Sequence, residues 1–523
     1  MRPSFPEIGG QHVDPNWGLR LAISGFFAWA AAGTGLATDD FVHLNNSLRT
    51  PLAQMLLPSA YLSAPLLHYT HALAYSAFGM HLWAYDLLKA AYLLFAFAAA
   101  GRFFALFVSV QRAWLAAIIF ILCPLHDGAT LWLTGQYLIL SLAFYLFAYI
   151  AAHHGQIGKA ALLAALASFS SYGSPPLAAG LTLMLLWQRN WRGALALAAP
   201  NALYVLYYSV TSVMLKAGTS RLPSQFEFLK LLKSYLMQVA SFADAALGPS
   251  AWAKYALSLG SLTAASAAVA VLGVALLWRW THGGAPPSNR QTGVAITGSL
   301  TIMLSAFGVF ALTAAYPQVA FNLGGRVLIY GSLFLAVLLM RFASQRLLTV
   351  LATVTIFSFM GITDHWRDWN RTTQASITQL RAQFRTQPAQ LPDQFLFVSG
   401  LQYSRLGPMT HIDHLTASYV IRETLTLADP ARQWPQAVSF NRRLQLQGDV
   451  LVDIKYNERF AIGSSILLYD AERDTLARVA RADIAARLAA LQQETRHWTQ
   501  LLGPGLTRDA ILWLMPGVKY AYP

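Results

Sequence analysis

The sequence predicts an α-helical protein that crosses a membrane about eleven times and ends in a soluble α/β or α+β domain. The first reason is composition: 56% of the residues are hydrophobic, 11% are charged and the mean hydropathy is +0.43, which excludes an ordinary soluble domain. The second is that apolar stretches of spanning length recur from Trp17 to about Gly361, which excludes one cleaved signal peptide on a soluble body. The third is an abrupt change of composition after Gly361.

The predicted spans follow a criterion of roughly twenty apolar residues, although several are shorter. They are 17-37, 83-108, 113-126, 129-152, 158-171, 175-188, 193-216, 252-280, 293-316, 327-341 and 346-362. The apolar stretch from Lys159 to Trp187 is divided by SYGSPP at 171-176, where Pro175 and Pro176 cannot continue a helical hydrogen-bond ladder. We therefore predict two spans that meet at a turn.

Basic residues predict the orientation of these spans, because Lys and Arg collect in cytoplasmic loops. Alternate loops contain Arg112, Lys159, Arg189, Arg192, Arg279, Arg290, Arg341 and Arg346, whereas the short loops 125-132 and 171-176 have no Lys or Arg. The N-terminus is therefore predicted inside, and the 38-82 loop, the 217-251 loop and the C-terminal tail outside. The net charge of +14 is explained by Lys and Arg residues that anchor the spans at the cytoplasmic face, and no nucleic-acid partner is expected.

The change of composition divides the chain into a transmembrane domain, 1-363, and a soluble extracytoplasmic domain, 364-523. In the second domain, residues 364-385 and 477-498 have helical periodicity, whereas QFLFVSGL and SSILLYDAE are typical of strands. The single cysteine, Cys123, lies in an apolar span and excludes internal disulfides.

Acidic residues are scarce before residue 364. They are Glu7, Asp14, Asp39, Asp40, Asp86, Asp127, Glu227 and Asp244. Asp39 and Asp40 are adjacent at the outer end of the first span, where two like charges are costly without a proton, a cation or a cationic substrate. They indicate a general base, with the second carboxylate orienting it or binding a metal. The alternative is a solvated pair that caps the next helix.

Two amphipathic segments are predicted to lie along the outer membrane surface. Residues 49-81 are aromatic and contain Pro51, Pro58 and Pro65, so they are too interrupted to span. Residues 221-247 have the same character, and Lys230 and Lys233 are suited to an anionic lipid phosphate.

Several segments, in their order and spacing, carry a resemblance to a known family. They are TDDF after the first span, FGMHLWAYDLLKAAYLLFAFAAAGRFFALF, CPLHDGATLWLTGQYLILSLAFYLFAY and the Arg-led FNLGGRVLIYGSLFLAVLL. Over residues 17-362 the layout resembles the integral-membrane glycosyltransferases of the C-type fold (GT-C), in the protein-mannosyltransferase-like and aminoarabinose-transferase-like branch (glycosyltransferase family 39-like).

The resemblance implies a bacterial inner-membrane glycosyltransferase with a polyprenyl-phosphate-linked sugar as donor. An outer-loop carboxylate, Asp39 or Asp40, would deprotonate the hydroxyl of a glycan, lipid or protein acceptor, and Asp127 would lie near the active site. Because the lipid phosphate leaves as an anion, a cation must offset its charge, and Arg326 is the basic residue of its otherwise uncharged outer loop. The alternative role of Arg326 is an interfacial anchor.

Asp127 also has two readings, as a carboxylate that binds substrate or metal and as a cap beside Gly128. His126 next to it and His43 near the acidic pair could complete a cation site, so a divalent metal is left open as a cofactor. The sequence departs from the family at the uncharged SYGSPP turn, and its tail lacks tetratricopeptide periodicity and cysteines.

Two other functions remain open at this point. A lipid-linked oligosaccharide polymerase or ligase would be expected to rely on outer-loop Arg and His residues. A transporter or flippase would need ionisable residues in mid-membrane and an internal repeat, and Asp86 with Lys89 is the close acid-base pair within a span.

Overall fold

The computed structural model describes residues 17–55, 64–79, 81–214, 227–281, 292–313, 317–386, 395–428, 436–491 and 494–514. The helices up to the end of the membrane part are α1 Trp17–Ala31, α2 Asp39–Arg49, α3 Leu52–Met55, α4 Pro65–Phe78, α5 Leu82–Ala105, α6 Val110–Ile121, α7 Asp127–Thr130, α8 Tyr137–His153, α9 Ile157–Ser170, α10 Ser174–Trp187, α11 Trp191–Met214, α12 Phe228–Leu247, α13 Pro249–Gly260, α14 Ala264–Thr281, α15 Thr292–Thr313, α16 Ile329–Phe342 and α17 Gln345–Thr386. Short 3-10 helices form at Pro124–His126, Thr134–Gln136 and Leu323–Leu328.

In the described part of the chain, seven helical segments are long and apolar enough to cross a membrane, and a bent pair brings the number to eight. Three shorter apolar helices accompany them. Large apolar side chains cover the outside of the bundle, as a bilayer requires; examples are Trp83, Leu195, Leu203, Leu272 and Phe342. The predicted multi-pass helical membrane protein is therefore confirmed.

Ten of the eleven predicted spans coincide with one apolar helix each, and the exception is 252-280. The structure divides this segment into α13 and α14, and the bent pair formed by Phe228–Gly260 and Ala264–Trp278 turns through 112°. Asp364 of α17 stabilises the break: its carboxylate accepts hydrogen bonds from the Thr263 amide and hydroxyl, both at 2.8 Å, and from the Ser266 hydroxyl at 2.7 Å. Hydropathy alone could not reveal a break that a distant carboxylate holds.

The predicted turn at SYGSPP forms as expected, because α9 ends at Ser170 and α10 begins at Ser174 with its prolines in the first turn. Of the predicted surface segment 49-81, the structure describes α3 and α4, while residues 56–63 and 80 lie outside the described residues. Of the segment 221-247, α12 is described from Phe228 onward.

The C-terminal part is an α/β domain, as predicted. Its strands are β1 Phe395–Ser399, β2 Tyr403–Leu406, β3 Met409–Asp413, β4 Gln436–Ser439, β5 Leu444–Gln447, β6 Val450–Asp453, β7 Glu458–Ala461, β8 Ser465–Asp470 and β9 Thr475–Ala480, and its helices are α18 Ser418–Ala428, α19 Arg481–Ala490 and α20 Leu506–Leu514. The main sheet has the order β4-β1-β8-β9, with β1 parallel to both β4 and β8. Beside it lie a β2-β3 hairpin and an antiparallel β5-β6-β7 sheet.

Both predicted strands are present as β1 and β8, but the predicted helix 477-498 is wrong at both ends, since α19 covers only Arg481–Ala490. Residues 477–480 belong to β9, which pairs antiparallel with β8 so that Leu468 faces Ala477. The helix α19 begins only at Arg481. A strand partner that is close in space overrides the local helical pattern here.

Helix α17 connects the two parts of the protein. It runs without a break from Gln345 to Thr386, across the predicted domain boundary at 363/364. Its first half lies in the membrane core around Phe359 and Met360, and Leu380 packs in the core of the α/β domain with Leu396 and Ile421. The α/β domain is therefore fixed to the membrane part by one continuous helix.

Candidate active site

The loop that joins α1 to α2, residues 32–38, carries the acidic pair at its end and is held from both sides. From α5, Asp86 accepts hydrogen bonds from the amides of Gly33 at 2.7 Å and Gly35 at 3.1 Å. Lys89 donates to the Gly35 carbonyl at 2.6 Å and pairs with Asp86 at 2.9 Å. From α17, Asn370 donates to the Gly33 carbonyl at 3.0 Å. The acid-base pair noted in the sequence thus anchors this loop.

The backbone of this loop is strained directly before Asp39. Gly33 and Gly35 have φ of 77° and 63°, and Thr38 has φ of 44°, in the left-handed region that a β-branched residue rarely adopts. A Cβ atom at Gly35 would collide with the side chain of Asn370. Strain of this kind persists only where surrounding contacts hold it, and it concentrates at functional sites.

The two aspartates of the pair have different surroundings. Asp40 is fully buried. Its Oδ2 accepts from the Ala37 amide at 2.9 Å, and its Oδ1 accepts from the Thr134 amide at 2.7 Å and the Thr134 hydroxyl at 2.6 Å. Burial raises the pKa of Asp40 to about 6 against the opposing effect of these hydrogen bonds. Both carboxylate oxygens are therefore used to fix the α1–α2 loop to the second loop, residues 122–136.

Asp39, in contrast, is half-buried. Its Oδ1 accepts a long hydrogen bond, 3.4 Å, from the hydroxyl of Tyr419 on α18. Burial and the charge of Asp39 raise the pKa of Tyr419, which keeps this hydroxyl a donor. Of the adjacent pair, Asp39 is the more exposed residue.

Three histidines of α2 and α4 lie close to one another, and one of them, His43, is near Asp39. The ring centroids of His43 and His71 are 5.1 Å apart, and His68 is close to both rings. Burial lowers the pKa of His43 to about 4, although Asp39 opposes this effect, and holds the pKa of His71 well below its usual range. These imidazoles are uncharged at neutral pH, so they do not neutralise Asp39.

Trp132 of the second loop contacts both the acidic loop and Arg326. Its indole Nε1 donates to the Ala37 carbonyl at 3.0 Å, and the Arg326 guanidinium lies 5.0 Å from the centroid of its ring. Arg326 is buried and donates from Nη1 to the Leu323 carbonyl at 3.0 Å. The structure thus brings Arg326 and the loop that leads into the acidic pair into contact with one aromatic side chain.

Asp127 is fully buried and both of its oxygens are hydrogen-bonded. Lys254 of α13 donates to Oδ1 at 2.7 Å, and Oδ2 accepts from the indole of Trp366 on α17 and from Nε2 of His411 on β3, each at 2.7 Å. The Asn322 amide donates to Nδ1 of His411 at 3.0 Å, so we assign His411 as a neutral imidazole with its proton on Nε2. This Asp127 cluster joins the second loop, two membrane helices and the α/β domain.

The remaining predicted site residues lie as follows. Lys230 is exposed on α12 and pairs with Glu227 at 2.7 Å, and Lys233 is exposed on the same helix. His126 is buried, with its Nε2 at 2.9 Å from the Phe120 carbonyl. Among the described residues no group of three or more His, Cys, Asp or Glu side chains could hold a metal ion.

Sequence reasoning missed the residues that reach this site from far along the chain. His411 and Tyr419 come from the α/β domain and contact Asp127 and Asp39. Lys254 was hidden inside an apolar segment, although a single lysine in a predicted span is itself a signal that a buried partner exists. No local pattern marks His411 or Tyr419.

We expect acidification to destabilise the protein. Burial lowers the pKa of five histidines outside the spans, His43, His68, His71, His411 and His414. Below pH 6.5 the unfolded chain therefore binds more protons at these positions than the folded one, and stability falls with pH. Burial raises the pKa of Asp40 and Asp413 to about 6 and also raises that of Glu423, which acts in the opposite direction. Five groups outweigh three, so the apparent melting temperature in detergent is lower at pH 5 than at pH 7.5.

Two variants test the source of this pH dependence. His71→Leu removes one buried histidine and reduces the difference in melting temperature between the two pH values, because each proton contributes about 1.4 kcal/mol per pH unit. His81→Leu, at an exposed position, leaves that difference unchanged. An equal melting temperature at both pH values in the wild type would show that these histidines are not held neutral by burial.

No family model and no curated protein matches this chain. Among solved structures, the crystal structure of ArnT from Cupriavidus metallidurans bound to undecaprenyl phosphate is similar to it. The match covers 81% of this chain and 85% of that chain, with 14% sequence identity and a TM-score of 0.31.

Proposed function

We propose that this protein is a membrane glycosyltransferase that transfers a sugar from a polyprenyl-phosphate-linked donor to an acceptor hydroxyl, with Asp39 as the general base. One observation carries the proposal: Asp39 is partly exposed, whereas Asp40 beside it is buried with both carboxylate oxygens hydrogen-bonded. Asp40 is then a positioning residue, which holds the α1–α2 loop so that Asp39 faces the reacting group. The general base thus sits on a rigid, strained loop.

The reaction needs one proton acceptor and one cation. Asp39 takes the proton of the acceptor hydroxyl while that oxygen bonds to the anomeric carbon from the side opposite the phosphate. The bond between the anomeric carbon and the phosphate oxygen breaks, and the polyprenyl phosphate leaves as an anion. Arg326 is proposed to offset the charge of that anion. It contacts the same indole, Trp132, that donates a hydrogen bond to the α1–α2 loop.

Lys230 and Lys233 are proposed to contact the anionic head group of the donor lipid. Both are exposed on α12, an amphipathic helix that lies within the surface segment predicted at 221-247. Exposed lysines at a membrane surface attract lipid phosphates by charge. The divalent metal considered from the sequence is not part of the proposal.

The same contacts support an extracytoplasmic α/β domain. Tyr419 reaches Asp39, α18 packs on α2, and His411 reaches Asp127, so the α/β domain lies on the same face of the membrane as the first two loops. An even number of crossings must separate α2 from this domain, and the ten predicted spans after the first meet this condition when α14 is the crossing of the divided segment 252-280. With the N-terminus in the cytoplasm, both lie outside the bacterial inner membrane.

A transporter is less well supported than a transferase. The acid-base pair that suggested one, Asp86 and Lys89, is engaged with the backbone of Gly33 and Gly35. Ionisable groups that carry a substrate across a bilayer need a path along which they change partners. Here the pair holds a loop instead.

The test is sugar transfer in right-side-out membrane vesicles that contain the full-length protein. A panel of polyprenyl-phosphate-linked sugars is supplied from outside with an envelope extract as acceptor, and release of free polyprenyl phosphate is measured by mass spectrometry. We expect release from at least one donor, above the level of vesicles without the protein. If no donor in the panel is consumed in vesicles of either orientation, the proposed function is wrong.

A further inference from the structure

A cleft lies between α17 and the α/β domain, against the loop that precedes Asp39. It encloses about 230 Å³, its open mouth included. The lining residues come from three segments of the chain: Thr34, Leu36 and Ala37 from the α1–α2 loop, Trp366, Trp369, Asn370 and Thr373 from α17, and Asp413 and His414 from the end of β3. The cleft is therefore formed only where the membrane part and the α/β domain meet.

Three polar side chains of this cleft have an atom with no protein partner among the described residues. His414 is 1% exposed and its Nε2 has no hydrogen-bond partner. Oδ1 of Asp413 and Oδ1 of Asn370 are buried and also have none. Burial of an unsatisfied polar atom is costly, so three such atoms around one cleft indicate that a ligand supplies the missing hydrogen bonds.

The other lining groups indicate the chemistry of that ligand. Trp369 contributes an aromatic ring, which packs edge to face with His414 at 6.1 Å between centroids. Asn370 and Thr373 contribute an amide and a hydroxyl. An apolar aromatic wall with neutral hydrogen-bonding groups suits the edge of a ring that has apolar faces and hydroxyls.

The cleft also lies next to the proposed base. Ala37 lines it and is two residues before Asp39, and its amide and carbonyl are bound by Asp40 and Trp132. From the same segment that carries Asp413 and His414, Tyr419 donates to Asp39. The cleft therefore lies beside the loop that leads into Asp39.

We propose that this cleft binds the hydroxyl-bearing edge of a sugar ring, so that the acceptor is a carbohydrate or glycolipid and not an unmodified peptide. The role of the bound sugar as acceptor rests on the proposed function. Binding of a sugar in the cleft does not depend on sugar transfer. His414, Asp413 and Thr373 hydrogen-bond the ring hydroxyls, and Trp369 covers one face of the ring.

Binding is measured by saturation-transfer NMR on the full-length protein in a detergent without a sugar head group. The probes are a panel of methyl glycopyranosides and a blocked Ser/Thr peptide. We expect at least one glycoside to receive saturation and the peptide to receive none. Thr373→Val and His414→Gln each weaken glycoside binding, by about tenfold for one lost hydrogen bond at the strong end of the usual range. Thr378→Val, the same substitution at an exposed site on α17, leaves it unchanged.

Each outcome either supports or overturns the proposed carbohydrate site. Loss of binding in Thr373→Val and His414→Gln with unchanged melting temperature supports the proposal. Binding of the peptide alone, no binding of any glycoside, or equal binding by wild type and both variants overturns it. If glycosides bind in the cleft but no polyprenyl-phosphate sugar is ever consumed, the proposed transferase function fails while the carbohydrate site stands.

Discussion

Asp39→Asn lowers the turnover number for sugar transfer by roughly a hundred- to ten-thousandfold, the usual contribution of a general base, and leaves the melting temperature close to that of the wild type. An amide cannot accept the proton of the acceptor hydroxyl, but it has the size of the carboxylate and can still accept the hydrogen bond of Tyr419. Because Asp39 is half-exposed, its charge is not needed to balance a buried group. Transfer is measured as release of polyprenyl phosphate at saturating donor.

Asp40→Asn is the matched comparison, one residue further along the chain. Its amide nitrogen must face either the Ala37 amide or the Thr134 amide and hydroxyl, all of which are donors. We therefore expect Asp40→Asn to lower the melting temperature together with the activity, whereas Asp39→Asn separates the two. Full transfer by Asp39→Asn would remove Asp39 from the mechanism, whatever Asp40→Asn does.

Asp127→Asn destabilises the protein strongly, by about 3–5 kcal/mol, the usual result of removing one partner of a buried ion pair. The ammonium of Lys254 then lies fully buried without a counter-charge. Whichever way the new amide turns, its NH2 faces a donor, because Lys254, Trp366 and His411 all donate to this site. His411 cannot turn its acceptor toward it, since Nδ1 already accepts from Asn322.

The double variant Asp127→Asn with Lys254→Met separates the charge from the hydrogen bonds. Methionine has nearly the volume of lysine and no charge, so the double variant recovers part of the stability that Asp127→Asn loses. The measurement is the melting temperature in detergent, together with the rate of proteolysis of the α/β domain, which the cluster attaches to the membrane part. A double variant less stable than Asp127→Asn alone would show that the ion pair is not the source of the effect.

The membrane architecture was predictable because its signals are local. A window of about twenty consecutive apolar residues is enough to predict a membrane span. Pro175 and Pro176 mark the turn between α9 and α10. The acidic pair stood out because carboxylates are rare in this half of the chain. The sequence could not distinguish Asp39 from Asp40, because that difference depends on Thr134, which approaches from the second loop.

Other features depend on contacts between distant segments, which no window of sequence contains. The break between α13 and α14 depends on Asp364, about a hundred residues away. The Asp127 cluster joins residues from four separate segments. The start of β9 depends on its pairing with β8. In each case the sequence shows the residue type but does not show which distant residue it contacts.

Because α17 is one continuous helix, its length fixes the rotation of the α/β domain about the helix axis relative to the membrane part. At about 1.5 Å and 100° per residue, its 42 residues form a rod roughly 60 Å long, in which one inserted residue turns everything beyond it by more than a quarter of a circle. One residue inserted after Trp369 would rotate β3 and α18 away from Asp127 and Asp39, although the rest of the sequence is unchanged. A change of one residue in the length of this helix is therefore expected to disrupt the contacts that His411 and Tyr419 make with the membrane part.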